Sequence, residues 1–66
     1  MNMRKSLRMA MAEHDLKSGE LAAKLGVSVT QVSNWLRTGR ISMRYMRLMC
    51  VIFEMKMSEF IALGED

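Results

Sequence analysis

The sequence predicts an all-α fold, a compact bundle of about five short helices forming one domain over residues 1–66. Three observations carry that prediction. Apolar residues recur at steps of three and four, with almost no strand-like alternation. Proline is absent, so no helix is broken from within. Serine and glycine stand where helices would start and stop. A chain of 66 residues buries a modest core, so its stability rests on a tidy helical core or on a partner subunit.

Met3, Leu7, Ala10, Met11 and His14 share one stripe and predict a first helix from Met3 to His14, with Leu16 turning back into the core. Leu21, Ala22 and Leu25 predict a second over Ser18 to Leu25, ended by Gly26, the residue type that enters a left-handed turn. Ser28 opens a third, and Gln31 three residues later completes a capping-box pattern. That helix carries Val32, Trp35 and Leu36 inward and stops near Thr38 and Gly39. Ser42 caps a fourth that reaches Glu54. Its apolar set is Met43, Met46, Met49, Cys50 and Phe53, with Leu48, Val51 and Ile52 as a second face. A short fifth runs from Ser58, which starts it, to Leu63, with Gly64 as its stop.

Charge and composition narrow the function. Ten Lys and Arg face seven Asp and Glu, a formal net charge of +3. From Leu21 to Phe53 the charged residues are Lys24, Arg37, Arg40, Arg44 and Arg47, all basic. Glu13, Asp15, Glu59, Glu65 and Asp66 lie outside the middle of the chain, and Glu20 and Glu54 flank it. A centre of one sign is what a polyanion-binding surface needs. A single cysteine, Cys50, excludes an intrachain disulfide, and His14 is the one other soft-ligand candidate, so no metal cluster is expected. The longest apolar run, Leu48 to Phe53, is too short for a membrane span, and Arg4, Lys5 and Arg8 precede no signal-peptide core. A cytoplasmic protein is expected. No serine, histidine or cysteine is arranged for nucleophilic catalysis, and the apolar setting of Cys50 disfavours its thiolate. The reading is a non-enzyme with no catalytic residues, no cofactor, no metal and no small-molecule ligand.

The middle of the chain meets the requirements of a helix-turn-helix. Two short helices crossing at a steep angle need a small residue at their closest approach, which Ala22 supplies. The turn needs a residue tolerant of positive φ, which Gly26 supplies. Leu21, Leu25, Val27, Val32 and Trp35 are the apolar groups that set the crossing angle. The outward face of the second of these helices must be polar to reach base edges in a major groove. That face is Val29, Thr30, Ser33, Asn34 and Arg37, with Ser28 and Gln31 beside it. Asn and Gln pair with adenine, Arg pairs with guanine, and the methyl groups of Val29 and Thr30 can pack on thymine. Arg40 and Arg44, just beyond that helix, are phosphate-contact candidates. Arg4, Lys5 and Arg8 either touch flanking phosphates or keep the N-terminus soluble.

The stretch ELAAKLGVSVTQVSNWLRTGR resembles the helix-turn-helix of the phage Cro/repressor family, closely over Leu16 to Ser42 and loosely over the whole chain. The resemblance implies a compact helical domain that binds double-stranded operator DNA as a two-fold dimer, with its third helices in successive major grooves roughly 34 Å apart. The family's recognition positions would fall on Ser28, Val29, Thr30, Ser33, Asn34 and Arg37. Ser18 stands where many members carry a glutamine that clamps the DNA backbone, and Leu36 where many carry a glutamate. The expected function is a Cro-like repressor of phage or prophage type. An antitoxin that represses its own operon belongs to the same class, and a protein-interaction module that keeps the fold without DNA binding is the reading from another class. Met55, Met57, Phe60, Ile61 and Leu63 exceed what a short terminal helix needs for docking, so the fourth and fifth helices are expected to contribute to a homodimer interface.

Overall fold

The structure is a computed structural model that describes residues 2–65; Met1 and the acidic Asp66 lie outside the described residues. Five helices follow in order: α1 (Met3–Glu13), α2 (Ser18–Leu25), α3 (Val29–Thr38), α4 (Met43–Ile52) and α5 (Met57–Leu63). All five predicted helices form, and the described residues contain no strand.

Local capping sets most of the boundaries. Asn2 Oδ1 accepts the Lys5 amide at 3.1 Å and starts α1. At α2 the Glu20 carboxylate folds back to accept the Lys17 amide at 3.0 Å. Ser28 Oγ accepts the Gln31 amide at 3.1 Å and Ser42 Oγ accepts the Tyr45 amide at 3.4 Å, so both serines cap as expected. The capping box at α3 is half formed: the described residues contain no return bond from the Gln31 side chain to Ser28. At α5 the expected start at Ser58 is corrected. The helix begins one residue earlier, because Glu59 Oε1 accepts the Lys56 amide at 2.8 Å and closes that turn.

Three helices end alike. The amides of Leu16, Val27 and Met55 reach back to the carbonyls of Met11, Ala22 and Cys50 at 2.9, 3.0 and 3.0 Å. This wrap needs a left-handed residue before the donor. Gly26 fills that place after α2 with φ of 72°. Asp15 and Glu54 fill it after α1 and α4 with φ of 52° and 53°. The expected ends at His14 and Glu54 are thereby corrected: His14 is the cap of α1, and α4 stops at Ile52 with Phe53 as its cap.

The core comprises Leu7, Ala10, Met11, Leu21, Ala22, Val32, Trp35, Met49, Cys50, Phe53 and Phe60. Helix α1 packs on α3 and α5, α2 on α3 and α4, and α4 on α5. Phe53 stacks on Phe60 at 6.2 Å between ring centroids, and Trp35 meets Tyr45 at 5.1 Å. His14 is exposed and lies against the Phe53 ring at 5.5 Å, not in the apolar stripe predicted for it. Cys50 is a buried thiol, pushed above its ordinary pKa by burial, with Sγ 3.7 Å from Met57 Sδ.

A polar clasp ties the first helix to the last. Ser6 is fully buried, and its hydroxyl donates to the Ile61 carbonyl at 3.4 Å. Gly64 is buried beside it, and a Cβ there would collide with the Asn2 carbonyl oxygen and Ser6 Oγ.

One expectation about the apolar surplus is corrected and a second is narrowed. Met43 is 56 % exposed, not part of the inward set of α4. On α5, Phe60 is in the core and Met57 and Leu63 pack half-buried against it, as does Met55 in the turn before the helix. Phe60, Met57 and Leu63 serve to dock the helix, which the tight approach at Gly64 brings flush onto α1, while Ile61 is half-buried and not among the residues packed on the core.

Candidate nucleic-acid interface

Helices α2 and α3 form the predicted helix-turn-helix. Ala22 is buried on the inner side of α2, and Val27, just past Gly26, is half-buried against the core. Val32 and Trp35 anchor α3, with Leu36 half-buried beside them. The first turns of the two helices come together: a Cβ on Gly19 would stand 4.0 Å from Val29 Cγ2. This places half-buried Ser18 beside the N-terminal end of α3.

With so narrow a buried stripe, most of α3 faces outward. Ser28, Val29, Thr30, Gln31, Ser33, Asn34 and Arg37 are all exposed. Helical steps of three and four put Thr30, Ser33, Asn34 and Arg37 in the outermost row, with Val29 and Gln31 on its flanks. Val29 is 51 % exposed, an apolar group at the surface with no core role. The row carries no acid, so it presents hydroxyl, amide and guanidinium groups without repelling a polyanion.

Two members of the row are held together. Arg37 Nη2 donates to Asn34 Oδ1 at 3.2 Å. The bond orients the amide so that its NH2 group is left to donate, and it sets the two side chains next to each other on the exposed face. Planar amide and guanidinium groups are the ones able to make paired hydrogen bonds to purine edges.

The end of α3 is braced as well. Thr38 Oγ1 donates to the Asn34 carbonyl at 2.8 Å and accepts the Arg40 amide at 3.2 Å. The exposed Arg40 therefore leaves a braced turn, and exposed Arg44 follows in the first turn of α4, its guanidinium carbon 6.0 Å from the centre of the Tyr45 ring.

One basic contributor was not resolved by the sequence reading. Arg4 Nη1 donates to the Arg37 carbonyl at 3.4 Å, which places the start of α1 beside the end of α3. Two adjoining surface cavities share Asn2 and Arg4 there. One, of about 440 Å³, is lined also by Lys5, Arg8 and Met9; the other, of about 340 Å³, by Met3, Thr38 and Gly39. Arg4 and Arg8 thus extend the basic rim formed by Arg37, Arg40 and Arg44. Only the α1–α3 packing brings residues 33 positions apart in sequence into contact.

Among the described residues no group of three or more His, Cys, Asp or Glu could hold a metal ion, and no helix is long and apolar enough to cross a membrane. A family model described as a Cro/C1-type helix-turn-helix DNA-binding domain matches residues 6–66. Neither curated proteins nor solved structures give a match.

Proposed function

The chain belongs to the Cro/C1-type helix-turn-helix DNA-binding family, and on that premise we propose that it is a sequence-specific transcriptional regulator. It reads double-stranded operator DNA as a homodimer and represses by occupancy, in the manner of a phage or prophage Cro protein. The observation that carries this reading is the outward row of α3. Thr30, Ser33, Asn34 and Arg37 are exposed together, free of acids, and two of them are already paired.

In this reading α3 lies in the major groove. Asn34 and Arg37 contact purine edges, Val29 and Thr30 lie against thymine methyls, and Ser28, Gln31 and Ser33 complete the base contacts. Ser18, Arg40 and Arg44 hold phosphates on either side and set the register of the helix. The domain measures 28 × 23 × 22 Å. On this reading, a two-fold pair of such domains sets its α3 helices in successive major grooves, one DNA turn or roughly 34 Å apart.

Selection of bound duplexes from a random pool tests the proposal. The expected product is a palindrome whose half-sites are one turn apart. Affinity for it should fall steeply with salt while keeping a large preference over other sequences. Equal affinity for every duplex would reject sequence-specific regulation.

A further inference from the structure

The exposed large hydrophobic side chains are unevenly placed. Of Met9, Val29, Met43, Leu48 and Val51, three lie on α4, and Val51 is the most exposed at 75 %. At 100° per residue, Arg44, Arg47, Leu48 and Val51 fall on one side of the helix, away from the core positions Met49, Cys50 and Phe53, with Met43 at the edge between the two. No described residue covers this side. A contiguous exposed apolar patch rimmed by polar residues is the mark of an interaction surface.

The frame identifies the occupant. Arg47 lies on the patch, and Glu54 stands seven residues further on, just past the C-terminal end of α4. Both are exposed, and neither side chain is engaged within the described residues. Seven residues separate the two, with Glu54 in the left-handed turn two positions past the last residue of α4. A two-fold axis passing midway between them, near Val51, runs two copies of α4 antiparallel. It sets Arg47 of each copy opposite Glu54 of the other and closes Leu48 and Val51 of both copies over one another. Self-complementarity of this kind is what an isologous interface requires.

We infer that the outer face of α4, centred on Leu48 and Val51 and framed by Arg47 and Glu54, is the surface on which a second copy of this chain docks. The inference deepens the dimeric part of the proposed function and rests on it. It differs from the sequence expectation, which shared the interface with α5. Arg44, about 10 Å from Val51 along the helix, is left at the rim on the side of the α3–α4 turn, where it remains available to a phosphate.

The test is sedimentation equilibrium at micromolar concentration without DNA, repeated on the selected duplex. The variants are Val51→Glu, Arg47→Glu, Glu54→Arg and the double reversal, with folding followed by far-ultraviolet circular dichroism. Val51→Glu is expected to weaken self-association at least tenfold and to leave the helical spectrum intact, because the side chain is exposed in the single chain. Each charge reversal alone should weaken association several-fold. The double reversal should recover most of it, since opposite charges would again face each other across the axis. A double reversal no better than either single variant overturns the inference, as does Val51→Glu associating like the parent. A parent chain that is monomeric both free and on DNA overturns it too. A parent that dimerises through α4 yet binds no duplex overturns the proposed function and leaves the interface standing.

Discussion

Gly64 has a backbone that any residue can adopt, with φ of −92°, yet it should be the least replaceable glycine of the chain. A Cβ added there would meet the Asn2 carbonyl oxygen and Ser6 Oγ, and would lie 2.9 Å from the Asn2 carbonyl carbon. None of these neighbours can yield cheaply. The Asn2 carbonyl accepts the Ser6 amide at 3.1 Å in the first turn of α1, and the Ser6 hydroxyl is fully buried and bonded to Ile61. Gly64→Ala must therefore push α5 away from α1. Overpacking of this kind costs about 1–3 kcal/mol, and loss of the Ser6–Ile61 bond adds about 1 kcal/mol. The expected total is about 2–4 kcal/mol, against a stability of about 3–10 kcal/mol for a domain of this size. Gly26→Ala is the control. Its φ of 72° is unfavourable for alanine, but nothing lies within 4 Å of the added carbon, so only the backbone cost of about 1 kcal/mol applies. Urea unfolding followed by circular dichroism compares the two. With a slope near 1 kcal/mol/M, the midpoint should fall by about 2 M or more for Gly64→Ala and by about 1 M for Gly26→Ala. A Gly64→Ala protein as stable as the Gly26→Ala protein would refute the clasp.

Other outcomes follow from the same geometry. Asn34→Ala and Arg37→Ala should each narrow the preference for the selected site by about 1–3 kcal/mol in competition titrations, whereas Arg40→Ala and Arg44→Ala should weaken all duplexes alike and lower the salt slope by about 1 each. Asp15→Gly should raise the melting temperature, since a side chain at φ of 52° stores strain of up to about 1 kcal/mol; an unchanged or lower melting temperature would remove strain as the account of that turn. Burial holds the Cys50 thiol above its ordinary pKa, so the unfolded chain ionises first as pH rises. The contribution is fully present below the ordinary thiol pKa of about 8.5 and is lost as pH climbs through the higher folded value. Urea midpoints at pH 7 and pH 10 should differ more for the parent than for Cys50→Ala, and equal differences would show that the thiol is not the cause.

What the sequence by itself determined is local. Helix positions follow from apolar spacing and from capping by Ser28, Ser42 and Gly26, each an interaction over a few residues. The outward residues of α3 and its cap Ser28 were legible for the same reason: the period that buries Val32 and Trp35 exposes the rest. The two left-handed turns at Asp15 and Glu54 escaped it, because neither residue carries the glycine signal. The tertiary structure decided everything that depends on which face meets which. Apolar content alone cannot say whether α4 or α5 has the unburied surplus; the close approach at Gly64 seats α5 on α1 and leaves Leu48 and Val51 outside. It cannot bring Arg4 beside Arg37 either, since that contact spans 33 positions and exists only once α1 lies along α3. The framework for the proposed base contacts was therefore written in one short stretch of chain, while the basic rim beside it and the bare face of α4 are products of packing.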